Sequence, residues 1–290
     1  EVCSFLLSNA CFWMDWYHAD GLRVDAVSGI IYYDFCKEPG QYLPNCYGGR
    51  ENLDGINFLR RLNETVYHDF CGIMMIAEES TAFPMVTAPT YLGGLGFGFK
   101  WNMGWMNDIL SYIKLDPVYR KYHHDKLTFS LFYAFSENYI LPFSHDEVVH
   151  GKHSMLDKNP GDLWQKFAGL RALYGYTMAH PGKKLLFMGS EFAHFIEWKY
   201  DDQLDWFLLL YENHPQVQQC CKRLNEIYRT TPALYQIDDS WDGFQWINAN
   251  DGDRSIFSFI RKDETGKKNL LFVVNFTPVD RPDYRVGVPK

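Results

Sequence analysis

Three apolar runs of strand length, each ending in a carboxylate, constrain this chain most: G-L-R-V-D at 21–25, M-I-A-E-E-S at 75–80 and L-P-F-S-H-D-E at 141–147. A continuous apolar run marks a strand covered on both faces, as in a parallel α/β sheet. A carboxylate at the carboxyl end of such a strand is where barrel enzymes place their chemistry. These ends are expected to bring Asp25, Glu78 and Asp146 to one rim. Two carboxylates across a glycosidic bond are the apparatus of glycoside cleavage.

Between these runs the pattern alternates. Residues 2–17 read as an amphipathic helix, with Val2, Phe5, Leu6, Trp13 and Trp16 recurring at helical spacing as its apolar face. Asn52 is the expected cap of a helix carrying Leu53, Ile56, Leu59, Leu62 and Val66 on one face. Strands are expected at 72–77, near 95–101, at 138–143 and at 184–189, with helices at 103–114, in the low 120s, at 162–179 and at 214–229. Helical crossovers favour parallel pairing with right-handed connections. After Pro232 the grammar changes, and β-rich runs at 254–261 and 269–276 flank the turn D-E-T-G. The expected domains are an α/β part over 1–233 and an antiparallel β part over 234–290. Five α/β strands fall short of a closed barrel of eight. With Glu1 rather than Met at the start, the expectation is a piece of a longer chain.

The totals exclude some functions. A net charge of −8 argues against nucleic acid, whose binders cluster Lys and Arg. No run reaches membrane-spanning length, so no membrane partner is expected. The 7 cysteines are scattered, with no C-x-x-C pair, which reads as reduced thiols in a cytoplasmic setting. No metal-ligand spacing occurs; His145-Asp146-Glu147 and His123-His124-Asp125 lack partners at such spacing, and neither metal nor cofactor is expected. A nucleophile elbow and a phosphate loop are also missing.

Arg23 and Asp25, two apart on a strand, are expected to share a face. A guanidinium beside a carboxylate favours the charged form, which a nucleophile requires. Glu78 ends an apolar run, where desolvation raises a carboxyl pKa and suits it to donate a proton. Glu79 points to the opposite face and reads as a salt-bridge residue. A neutral His145 donating to a sugar hydroxyl, beside Asp146 accepting from one, fits the third end. Each pattern alone also suits a structural role: an ion pair for Arg23–Asp25, a loop carboxylate for Glu78, a packed core histidine for His145.

Taken together, G-L-R-V-D-A-V at 21–27, I-A-E-E-S-T at 76–81 and F-S-H-D-E-V-V-H-G-K at 143–152 resemble the strand-end motifs of the α-amylase clan. The resemblance is closest to the 1,4-α-glucan (glycogen) branching enzymes of bacterial type. P-N-C-Y-G-G-R-E-N at 44–52, G-L-G-F-G-F-K-W-N-M-G-W-M at 94–106 and P-G-D-L-W-Q-K-F-A at 160–168 extend it over nearly the whole chain. It implies the C-terminal part of a (β/α)8 barrel, about strands 4 to 8, followed by the start of an antiparallel β-sandwich. It also implies Asp25 as nucleophile, Glu78 as general acid/base, Asp146 holding ring hydroxyls in the transition state, and Arg23 and His145 as substrate-site neighbours. The implied partner is α-1,4-glucan or glycogen, acted on by a monomer that makes α-1,6 branches in glycogen biosynthesis. The alternatives are an α-amylase-type hydrolase and a non-catalytic glucan-binding piece. The family's first strand-end motif, with its Asp and His, is not in this sequence, so the piece alone is expected to be inactive.

Overall fold

The computed structural model describes residues 1–38 and 40–289. Two compact units divide the chain: Glu1–Met103 with Ser136–Ile140, and Gly104–Phe135 with Leu141–Lys290.

The first unit begins with α1 (Val2–Tyr17), β1 (Gly21–Val24), α2 (Val27–Ile31), α3 (Leu53–Asp69), β2 (Met74–Ala77) and β3 (Phe99–Trp101). β1 pairs in parallel with β2 from Gly21↔Met74 to Val24↔Ala77, and β2 pairs with β3 through Ile76↔Phe99. Lys100 and Trp101 then pair in parallel with Tyr139 and Ile140, the start of β4 (Tyr139–Phe143). Gly21 has a local reason: a Cβ there would lie 2.3 Å from the Met74 carbonyl oxygen. Asn52 caps α3 as expected, accepting from the Gly55 N–H at 3.1 Å.

The core of this unit is Val27, Ile31, Leu59, Val66, Met75, Ala77, Leu95 and Phe97, all buried. One expectation fails here. α1 forms, but Val2, Phe5, Leu6, Trp13 and Trp16 are exposed, and Leu7, Ala10 and Met14 are the buried side. Apolar spacing identified the helix without identifying its packed face, because most of its residues are apolar.

The second unit carries α4 (Met103–Ile113, all but its first residue), α5 (Asp125–Thr128), the end of β4, α6 (Leu163–Ala179), β5 (Lys183–Leu186) and α7 (Asn213–Thr230). The strand order of the sheet is β1-β2-β3-β4-β5. Three further strands, β6 (Phe244–Asp251), β7 (Ile256–Arg261) and β8 (Leu270–Asn275), form a separate antiparallel sheet. The parallel set followed by an antiparallel set is the architecture the sequence implied. Sequence reading passed over α2 and β6.

α6 is capped by Asp162, which accepts from the Gln165 N–H at 2.8 Å while Gln165 accepts from the Asp162 N–H at 2.9 Å. Its Tyr176 ring lies among Phe257, Phe259, Phe272 and Phe276, with centroids 5.9–6.3 Å away. Such edge-on aromatic pairs contribute about 0.5–1.5 kcal/mol each beyond area burial. Arg261 is fully buried and donates to the Ala179 carbonyl at 2.9 Å and to Asp238 at 2.6 Å. His124 stacks on Phe257 at 3.8 Å, so this histidine is absorbed by packing.

In the first unit, Glu79 is fully buried and meets Lys100 Nζ at 2.6 Å, the ion pair expected of it. Ser28 Oγ at 2.9 Å and the Thr81 N–H at 2.8 Å also donate to Glu79. Removing one partner of such a pair strands a buried charge, which costs about 3–5 kcal/mol. Lys100→Met is therefore expected to lower the unfolding free energy read by urea titration by that much. Adding Glu79→Gln is expected to recover most of the loss.

Candidate active site

Every site residue named from the sequence lies at or just beyond the carboxyl end of a strand. Arg23 is the penultimate residue of β1, Asp25 follows its last, Glu78 follows β2, and His145 and Asp146 follow β4. Asp25 is thus one residue outside the strand in which it was expected. The cause is Ala26, whose φ of 44° is left-handed, so the chain turns before Asp25 can continue the ladder. Backbone bonds bind this turn to β2: the Val27 N–H donates to the Glu78 carbonyl at 2.9 Å, and the Glu78 N–H to the Val24 carbonyl at 3.0 Å.

One guanidinium nitrogen organises the acids. Arg23 Nη1 donates to Asp25 Oδ1 at 2.5 Å and to Glu78 Oε2 through a shorter contact. Two oxygens on one nitrogen can be no farther apart than the sum of the two bonds. The nearest carboxyl oxygens are therefore within the about 5–5.5 Å that separates the carboxyls of retaining glycosidases. The guanidinium lies 4.7 Å from the centroid of the Trp101 ring, which fixes its plane by cation–π attraction.

The two acids differ in exposure. Asp25 is 77% exposed and Glu78 16%. Burial, joined by the hydrogen bond and charge of Asp25, pushes the Glu78 carboxyl up to about 7; Arg23 and the Ala26 N–H pull against that rise. The desolvation read from the apolar run outweighs the guanidinium. Glu78 is a carboxylic acid that still holds its proton near neutral pH.

In the second unit, His145–Glu147 is a single 3-10 turn capped by Ser144. Glu147 accepts from the Ser144 N–H at 2.5 Å and its hydroxyl at 2.7 Å, and Ser144 Oγ accepts from the Asp146 N–H at 3.2 Å. This is the S-x-x-E capping pattern, legible at 144–147 though not used in the sequence reading. Glu147 is thereby a structural carboxylate rather than a ligand. His145 Nε2 and Asp146 Oδ1 stand 3.4 Å apart, and the His145 ring meets Trp198 and Phe187 with centroids 6.1 Å away. Trp198 was not read as a neighbour of the site; a lone Trp in E-W-K carries no spacing signal. The structure brings Arg23, Asp25 and Glu78 together in one unit, and His145 with Asp146 in the other.

The long loop after β2 is built rather than slack. Arg60 holds the carbonyls of Gly94 at 3.0 Å and Gly93 at 2.6 Å, and Asn63 holds that of Leu95 at 2.7 Å. Glu137 accepts from the N–H groups of Val86 at 2.9 Å and Thr87 at 2.7 Å. Gly94 is a close backbone approach: a Cβ would lie 2.1 Å from the Ala88 carbonyl oxygen.

Residues 246–290 match the family described as "Alpha amylase, C-terminal all-beta domain". Along its whole length the chain is 61% identical to a protein of Aquifex aeolicus and 60% identical to one of Shewanella sp. MR-7. Both are named "1,4-alpha-glucan branching enzyme GlgB". The match covers 46% and 39% of those proteins, so the chain spans less than half the length of the curated relatives it matches. Two solved α-amylases share the fold at 15% identity over 95% of this chain. They are that of Geobacillus thermoleovorans complexed with acarbose, TM-score 0.65 over 53% of its length, and that of H. orenii, TM-score 0.59 over 54%.

The charge balance at Arg23 gives a direct test. Asp25→Asn is expected to bring the Glu78 titration down from about 7 toward an ordinary carboxylate, since Asp25 raises it. Arg23→Leu is expected to move it further up. Carboxyl carbon NMR of Glu78 across pH 4–9 reads both shifts.

Proposed function

Because the chain is homologous along its whole length to the 1,4-alpha-glucan branching enzymes, we propose that it carries the catalytic carboxylates of a retaining transglycosylase making α-1,6 branches in an α-1,4-glucan. The observation that carries this reading is the shared Arg23 nitrogen, with one carboxyl exposed and the other buried and raised to about 7. Asp25 is the nucleophile and forms a covalent glycosyl-enzyme at the anomeric carbon. Glu78 protonates the departing oxygen, then as a carboxylate takes the proton of the acceptor 6-hydroxyl. Asp146 and His145 hold ring hydroxyls of the glucan, and Arg23 balances the charge of the two acids.

Branching differs from hydrolysis only in the acceptor that reaches the intermediate. A sugar hydroxyl has to outcompete water at about 55 M, which positioning achieves through effective molarity. The pinned loop at 81–98 supports that role, since a rigid loop holds an acceptor at less entropic cost. The proposed division is a catalytic part over 1–233 and a β part over 234–290. Glycogen biosynthesis in the cytoplasm by a monomer belongs to the same proposal. Seven unpaired cysteines, four of them exposed, support its reducing compartment.

In the full-length enzyme Asp25→Asn is expected to lower turnover by at least about 1,000-fold, since the covalent route depends on it. Normal branching by that variant would refute the assignment. Wild-type kcat/KM is expected to fall as pH rises through about 7, because the acid form of Glu78 exists only below its pKa. Iodine colour lost without a rise in reducing ends identifies branching; reducing ends rising in step identifies hydrolysis, and glucan retained without turnover identifies a binding protein.

A further inference from the structure

The proposed mechanism leaves open what aims Asp146. Its turn is three residues long, and the side chains of His145 and Asp146 are 35% and 41% exposed, so packing alone does not fix them. The Ser144–Glu147 cap secures the near side. On the far side lies Lys158, 5% exposed. Its Nζ donates to the carbonyls of Glu147 at 2.5 Å, Lys152 at 2.5 Å and His153 at 2.6 Å. An ammonium has three donors, and this one loop takes all of them.

The amides of the loop turn the other way. Glu197 accepts from the N–H groups of Gly151 at 3.0 Å and His153 at 2.6 Å. Its neighbour Trp198 donates its backbone N–H to the Val148 carbonyl at 2.8 Å, and the Trp198 ring meets His145 edge-on. Carbonyls converge on a buried cation while amides face an anion, and between them the loop has little freedom.

A buried lysine is a costly way to fill space. The hydrogen-bond partners of its ammonium are neutral carbonyls, and an ammonium so buried loses far more solvation than an apolar side chain would. Burial pushes Lys158 down to about 8, with Lys114 and Lys152 adding repulsion against the attraction of Glu147 and Glu197. A methionine would occupy the same stem without that penalty, so the charge has a task.

We propose that Lys158 is a positioning residue: its ammonium, opposed by Glu197, fixes the loop 147–153 and so holds the His145–Asp146 turn in its working orientation. The inference rests on the reading of Asp146 as a sugar-holding residue. Misplacing a binding group by about 1 Å costs on the order of 100-fold in rate. In the full-length enzyme, Lys158→Met is expected to lower kcat about 100-fold with little change in KM for the glucan. Amide hydrogen exchange at Gly151 and His153 is expected to accelerate in the same variant. Lys158→Arg, which keeps the charge and donors, is expected to restore much of both. Should Lys158→Met fail to fold, Glu197→Gln loosens the loop from the other side and carries the same expectation. Faster exchange at the loop with kcat unchanged would overturn the inference, as would Lys158→Arg recovering stability but no turnover. Full activity in Asp146→Asn would remove the underlying reading as well, and is distinguishable because exchange at the loop then stays at its wild-type rate.

Discussion

A single guanidinium shared by two carboxylates is the interaction on which the proposed chemistry depends. Two like charges about 5 Å apart repel by roughly 3 kcal/mol at an effective dielectric of about 20. Each is attracted to Arg23 by a comparable amount at closer range, and the Trp101 face holds the cation where both can reach it. The opposing effects nearly cancel, so the burial of Glu78 decides the outcome and lifts its titration to about 7. A second cation beside Glu78 would strip the acid of its proton. A fully enclosed Glu78 would hold that proton too tightly to give it up.

Much of this arrangement was legible because its signals are local. An apolar run ending in a carboxylate marks a strand end, Asn52 before a periodic stretch marks a cap, and alternation along a strand separates Glu78 from Glu79. What escaped reading depends on contacts far apart in the chain. The five residues of α2 follow a left-handed alanine that has no sequence signature. β6 contains Asn248, Asn250 and Asp251, residue types depleted in strands, and is held by its pairing with β7. α1 is apolar on more than one side, so periodicity could not choose the buried stripe. Lys158 stands in a polar stretch, and only the fold reveals that its stem is enclosed and its head surrounded by carbonyls.

The loops carry a related lesson. Arg60, Asn63 and Glu137 order the segment after β2, as Glu197 and Lys158 order the segment after β4. In both places long polar side chains satisfy irregular backbone that has no ladder of its own. Irregular backbone therefore does not imply looseness here.

The neighbouring glutamates just past β2 tie its register to charge. Glu78 meets Arg23 and Glu79 meets Lys100, each a different cation. A slip by one residue would move one glutamate into the other's place and bring Ala77 or Ser80 into the place left. One of the two cations would then lose its glutamate. An insertion or deletion within Met74–Ala77 would therefore cost an ion pair as well as core packing.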